Sequence, residues 1–380
     1  MIRGLLAVAA IAPIVAEPPV AAPLPVHVGG RVVTEDDGSL SFGWPGTYIE
    51  GRFHGTAIRV RADAPTDFLG LLIDGRAVTA LRKPGSADVT IDGLANNDHV
   101  VRLEKRTESQ TGGTRFFGFY PAQNSVVLPP PPVRRRQIEF IGDSYTVGYG
   151  NTSVTTACDN NEVHDRTDTQ QAFGSLVARY FQADYRINAY SGFGIVRNYN
   201  GSSPDSSMPA LYDRLKPDDV IHRDGPRGDW QPQIIVINLG TNDFSTPVHA
   251  GERWPDRPTL AAAYRERYVG FARQIAARQP QARMILMASP MFLDEVEQVA
   301  AMVKNRGIPN VTVLSFSELA LSACDFHPSL DDERQLAVSL QQAIARLAIW
   351  PGLKHMPFGG ETSPDQKLLT KMPRMWWFQY

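Results

Sequence analysis

Between Val26 and Tyr120, hydrophobic and polar positions alternate with a period of two. Leu40, Phe42 and Trp44 are separated by small or polar residues, and Ile58 and Val60 alternate with arginines. Phe68 to Ile73 ends at Asp74-Gly75, a pair that tolerates the positive φ angles of a two-residue hairpin turn. Val89 to Ile91, Val100 to Leu103 and Phe116 to Tyr120 continue the series, and no helical stripe interrupts it. Short strands at regular spacing predict a β-sandwich over residues 26–128, with a jelly roll as the expected arrangement.

Pro129 to Pro132 stop the alternation, since four prolines offer no backbone donors to a sheet or a helix. They mark a linker over 129–136. Beyond it the period changes. Gln137 to Ile141, Tyr185 to Ala189, Ile234 to Leu239, Met284 to Ala288 and Val311 to Leu314 are apolar runs that predict strands buried on both faces. Between them lie helical stripes: Phe173, Leu176, Val177, Tyr180 and Phe181; then Leu260, Tyr264, Tyr268, Phe271 and Ile275; then Val296, Val299, Ala300 and Val303. Leu336, Leu340, Ile344 and Leu347 stripe a final helix. This alternation predicts a three-layer α/β/α domain over 137–350, with a parallel sheet between two helical layers.

Composition agrees with two packed domains. The chain has 380 residues, of which 43% are hydrophobic and 21% charged, a balance that supports a folded core. Its net charge of −2 gives no reason to expect nucleic acid or an anionic membrane as partner. Arg134-Arg135-Arg136 is the one dense basic run and reads as a solvated linker. At the start, Arg3 precedes an apolar stretch from Gly4 to Val15, with small residues near Ala16 and Ala21-Ala22. This predicts a signal peptide over 1–22 and a secreted or periplasmic protein. The stretch is too short for a permanent membrane span. The tail, 351–380, has no clear period, and Trp376-Trp377-Phe378 reads as an apolar patch that packs back on the body, or else as a contact surface for another chain or a glycan.

The candidate chemistry sits at strand ends. Gln137 to Ile141 runs into Gly142-Asp143-Ser144, a tight turn that can lift the Ser144 hydroxyl clear of the backbone as a nucleophile. Ser191-Gly192-Phe193-Gly194 permits close approach of backbone N–H groups, although alone it reads as an ordinary turn. Gly240-Thr241-Asn242-Asp243 offers an amide donor for an oxyanion, or equally an Asx turn. Cys324-Asp325-Phe326-His327-Pro328 offers His327 as a general base. No cluster has metal-ligand spacing and no cofactor motif is present.

The order of these four segments resembles the SGNH, or GDSL, hydrolase superfamily, whose blocks match Ser144, Gly192 or Gly194, Asn242 and His327. A narrower resemblance, to carbohydrate esterase family two, covers both domains. It is carried by Arg102 to Glu108, by Gly142 to Gly150 and by Ser191 to Tyr199. It implies removal of acetyl groups from polysaccharides such as xylan or glucomannan. The implied oxyanion donors are the Ser144 N–H, Gly192 or Gly194, and Asn242. The usual superfamily spacing puts an aspartate three residues before the histidine, where this chain has Cys324. Asp325, two residues before, is one candidate for the acid of a triad, and a backbone carbonyl behind a Ser–His dyad is the other. A disulfide between Cys158 and Cys324 would pin the histidine loop over the serine. Tyr145, Phe326, Trp230 and Trp254 are candidates for stacking on sugar rings, although each alone reads first as ordinary packing. A lipase, thioesterase or acyltransferase, and a glycan-binding protein with a vestigial site, are the competing readings.

Overall fold

The structure is a computed structural model and describes residues 22–224 and 230–350. The expected signal peptide, through Ala21, and the Trp376-Trp377-Phe378 patch lie outside the described residues.

The first half is two antiparallel sheets over one core. One sheet orders its strands as Val26–Gly29, Tyr48–Gly55, Asn97–Lys105, Phe68–Ile73 and Arg76–Arg82, with Val126–Val127 also paired to Tyr48–Gly55. The other runs Val33–Thr34, Leu40–Phe42, Thr114–Pro121, Ile58–Ala64 and Gly85–Ile91. The period-two pattern is realised directly. Ile58, Val60, Ala62 and Ala64 are buried while Arg59 is exposed, and they share a core with Phe53, Leu71, Val101 and Phe119. Asp74 and Gly75 take positive φ at the predicted hairpin.

Trp44 leaves that core. It is buried among Ile141, Met208, Leu211 and Tyr212 of the second half, and its indole N–H donates to the Arg214 carbonyl at 3.0 Å. Tyr48 does the same on the opposite face of the second sheet, beside Ile138, Tyr185 and Ile187. Two aromatic side chains of the sandwich are therefore parts of the other domain's cores.

The second half is the α/β domain that the apolar runs predict. Five parallel strands lie in the order Asp184–Ala189, Gln137–Gly142, Ile234–Asn238, Arg283–Ala288 and Val311–Ser315. Arg257–Arg278 and Leu293–Asn305 pack on one face, and Phe173–Tyr180 and Leu330–Arg346 on the other. The strand order reverses direction at Gln137–Gly142. In such sheets ligands bind beyond the carboxyl ends at that reversal, because the connections splay to either side and leave a crevice.

The basic run is a correction to the sequence reading. Arg134 is not simply solvated. Its backbone N–H and guanidinium both donate to Asp184, at 2.7 and 2.6 Å, and the guanidinium also bonds Glu50 at 3.1 Å. Arg136 donates to the Phe181 carbonyl at 2.8 Å and lies over the Trp350 ring. Only Arg135 of the three is exposed. Burial opposes ionisation of Asp184, but donors from His27, Tyr48 and Arg134 outweigh it and hold the carboxyl well below the usual range. Arg31 of the sandwich adds a buried pair with Glu139 at 3.0 Å.

Candidate active site

The Gln137–Gly142 strand ends where a side chain would not fit. A Cβ on Gly142 would lie 2.0 Å from the Thr146 hydroxyl oxygen, so glycine lets the chain turn sharply into the short helix Ser144–Val147. Asp143 caps that helix by accepting from the Tyr145 N–H at 3.1 Å. Ser144 is thereby set at the helix start, 5% exposed, at the reversal point of the sheet.

His327 reaches this serine from the loop before Leu330–Arg346. Its Nε2 is 2.9 Å from Ser144 Oγ. Its Nδ1 is 3.1 Å from the carbonyl oxygen of Cys324 and 3.1 Å from that of Asp325. Carbonyl oxygens only accept, so Nδ1 carries the proton and the neutral ring presents Nε2 as an acceptor to the serine. Burial lowers the histidine's pKa, and the two carbonyls, with the Asp325 charge after them, act against that fall.

Asp325 is therefore corrected as a candidate triad acid. It sits at φ +50°, and its carboxylate accepts from the Tyr149 hydroxyl at 3.0 Å, while Nδ1 is met by backbone carbonyls. Tyr149 lies against His327 with ring centroids 4.3 Å apart. The carboxylate thus braces a neighbour of the imidazole, while the backbone orients the imidazole itself.

Cys324 and Cys158 are joined by a disulfide with Cα atoms 5.4 Å apart. The bond ties the turn that carries both orienting carbonyls to the loop that follows the serine helix. The Asp325 N–H adds a second tie by donating to the Thr156 carbonyl at 2.8 Å.

The candidate oxyanion donors separate into two groups. Gly192 has φ +83° in a Tyr190–Phe193 turn closed by the Phe193 N–H and the Tyr190 carbonyl at 3.2 Å. Its N–H has no partner among the described residues. Gly194 is a correction: its N–H donates to the Asn198 side chain at 3.1 Å and is not free. Asn242 reaches the same place from the end of Ile234–Asn238. Its Nδ2 lies 3.2 Å from Asp143 Oδ2 and 2.9 Å from the Phe193 carbonyl. The adjoining Asp243 accepts from the N–H groups of Ile195, Val196 and Arg197, at 2.9 to 3.0 Å, and so shapes the loop after Gly192. Burial pushes Asp143 up to about 7 and Asp243 up to about 6, the latter against those three donors.

Among the aromatic candidates, Tyr145 lies edge-on to His327 with centroids 5.8 Å apart, and Phe326 is 69% exposed beside it in sequence. Trp254 is half-buried on the core that holds Phe244 and Leu260. Trp230 is at the wrong end of the sheet. It sits beside Gln137 and Glu139, its ring covered by Arg186 at 4.6 Å. A six-residue strand separates that end from Ser144, roughly 15–20 Å. Sequence reasoning gave no role to Tyr149, Asp143 or Asp243. Asp143 and Asp243 flank the chosen residues, but nothing in their spacing announces their partners.

Residues 28–131 match the carbohydrate esterase 2 N-terminal model, and residues 140–374 match the GDSL-like lipase/acylhydrolase family. An acetylxylan esterase / glucomannan deacetylase of Cellvibrio japonicus (strain Ueda107) is 44% identical over 327 residues, spanning 83% of this chain and 89% of that protein. The chain belongs to carbohydrate esterase family 2. It is a carboxylic ester hydrolase of that family, a carbohydrate esterase with an SGNH catalytic domain. A solved carbohydrate esterase, described as displaying divergent catalytic and non-catalytic binding functions at its active site, is similar with a TM-score of 0.79. It is 42% identical, over 87% of this chain and 99% of that one. A family two carbohydrate esterase from Clostridium thermocellum in complex with cellohexaose has a TM-score of 0.75 at 25% identity, over 85% and 99% of the two chains.

Proposed function

We propose that this esterase removes O-acetyl groups from a plant-type polysaccharide, acetylated xylan or glucomannan, through an acetyl-serine intermediate. The observation that carries the reading is the 2.9 Å contact between Ser144 Oγ and an imidazole whose tautomer is fixed by two carbonyls. The choice of substrate is supported by the acetylxylan and glucomannan activity named for the relative at 44% identity.

In this mechanism His327 Nε2 takes the hydroxyl proton as Ser144 Oγ attacks the acetyl carbonyl carbon. The C=O π electrons move onto oxygen, which is met by the N–H groups of Ser144 and Gly192 and by the Asn242 amide. One Asn242 hydrogen is then shared with the oxyanion rather than with Asp143. The tetrahedral intermediate collapses, the C–O bond to the sugar breaks, and imidazolium returns the proton to the sugar oxygen. Water repeats the sequence on the acetyl-serine and releases acetate. Each oxyanion donor of this kind contributes about 2.7–4 kcal/mol to barrier lowering. Tyr145 and Phe326 beside His327 offer flat apolar faces to the sugar. The protein works outside the cytoplasm, a reading supported by the N-terminal apolar pattern and by the disulfide.

The test is substrate chain length together with acetate yield. Purified enzyme should release acetate from acetylated xylan or glucomannan and hydrolyse acetyl esters faster than butyryl or octanoyl esters. A preference for long acyl groups would move the assignment to a lipase or thioesterase.

A further inference from the structure

The segment that carries the free Gly192 N–H is fastened mostly from within the catalytic domain. The Tyr190 N–H donates to the Gly142 carbonyl at 3.1 Å, and the Tyr199 N–H donates to the Gly192 carbonyl at 2.8 Å. Asn242 holds the Phe193 carbonyl, and Asp243 holds the three N–H groups from Ile195 to Arg197. One fastening comes from the sandwich. Glu108 follows the Asn97–Lys105 strand, and its Oε2 accepts from the Ser191 N–H at 3.0 Å.

We propose that Glu108 is a positioning residue for the esterase reaction: the sandwich sets the Tyr190–Phe193 turn so that the Gly192 N–H meets the oxyanion. This rests on the esterase reading above. The geometry explains why the contact matters. With φ +83° at its third residue, the turn is of the type in which the middle peptide, Ser191–Gly192, is flipped relative to the commoner turn. The same four residues close either way, but the two orientations of that peptide point the Gly192 N–H to opposite sides of the turn. A bond to the peptide immediately before it, Tyr190–Ser191, removes the freedom through which the flip takes place.

The surroundings of Glu108 suit a fixed acceptor. Burial pushes its carboxyl up, and the Ser191 N–H acts in the opposite direction. The nearby Lys105 is already engaged with Asp67 at 2.5 Å. Thr107 and Ser109 on either side are buried, and both hydroxyls contact Asp67 as well, so the backbone that carries Glu108 is held in place. Glu108 also faces a cleft of about 470 Å³ shared by Gln110, Tyr149 and His164, which offers a competing role as a direct sugar ligand.

The test compares wild type, Glu108→Ala and Glu108→Gln on 4-nitrophenyl acetate and on acetylated xylan. Glutamine keeps a carbonyl oxygen able to accept from Ser191. Removing an oxyanion donor outright costs roughly a hundred- to a thousandfold, so loosening one should lower kcat by about ten- to a hundredfold. Glu108→Ala should show that loss equally on both substrates, with KM within about twofold, and Glu108→Gln should recover to within about threefold of wild type. A loss confined to acetylated xylan, or expressed in KM, would make Glu108 a sugar ligand and overturn the proposal. So would unchanged kcat in Glu108→Ala, or equal damage in both variants. If Glu108→Ala does not fold, Glu108→Asp takes its place, with the acceptor drawn back by one methylene and the same fall in kcat expected. Inactivity of the wild type on both substrates would instead defeat the esterase reading itself.

Discussion

His327 has carbonyl dipoles, not a carboxylate, against its Nδ1, so in the proposed mechanism the charge it would gain on taking the Ser144 proton is only partly met. Asp325→Asn is the clean substitution here, because asparagine tolerates the positive φ that Asp325 adopts. It should leave kcat within about threefold of wild type, whereas His327→Ala should lose more than about a thousandfold. Equal losses in steady-state assays would restore the carboxylate as the third catalytic group. The pH dependence has a definite sign. The base works only when neutral and burial lowers its pKa from the ordinary 6.5, so kcat/KM should fall as pH drops through an inflection below 6.5 and be level above it. Burial also pushes the Asp143 carboxyl up to about 7, so an Asp143→Asn variant that keeps the acid limb assigns that limb to His327. The letters of the chain located Ser144, Asn242 and His327 because their order is distinctive. They left Asp325 open because its partner is Tyr149, a contact that residue spacing does not encode.

The element that carries His327 is a short turn tied down at Cys324. The disulfide spans 166 residues of sequence, and cross-links over loops of that length contribute roughly 2–5 kcal/mol to stability. Here it also holds a carbonyl that orients the base. Cys158→Ser, or reduction of the wild type, should lower the denaturant midpoint and reduce kcat several-fold while leaving KM nearly unchanged. Full activity with thiol titration showing both cysteines free would contradict that link. At this scale the sequence was most readable. Apolar runs gave the five parallel strands to within a residue or two, and the Asp74-Gly75 pair gave its hairpin. The helix of Ser144–Val147 was too short to leave a periodic trace, and Trp44 looked like one more inward position of the sandwich. Its actual place, inside the second domain's core, depends on docking that alternation cannot report.

Across the whole molecule the two halves are joined by buried charge rather than by a free linker. Asp184 receives His27, Tyr48 and Arg134, and removing one partner of such a set costs about 3–5 kcal/mol because the others stay buried without it. Asp184→Ala should lower the urea midpoint accordingly, and a loss under about 1 kcal/mol would show that the interface tolerates its absence. Low pH should have a similar effect, since the stability that comes from a depressed carboxyl is lost as pH falls through its folded pKa. Four prolines announced a linker, but Arg134, Arg31, Trp44 and Glu108 bond directly across it, so the sandwich is docked on the α/β domain and not merely tethered to it. The central claim remains the reaction at Ser144. Its most direct measurement is acetate released from acetylated xylan and glucomannan by wild type and by Ser144→Ala at equal concentration. The account predicts steady release by the wild type and loss of more than about a thousandfold in the variant. Equal release by both proteins, or none by the wild type, would contradict it.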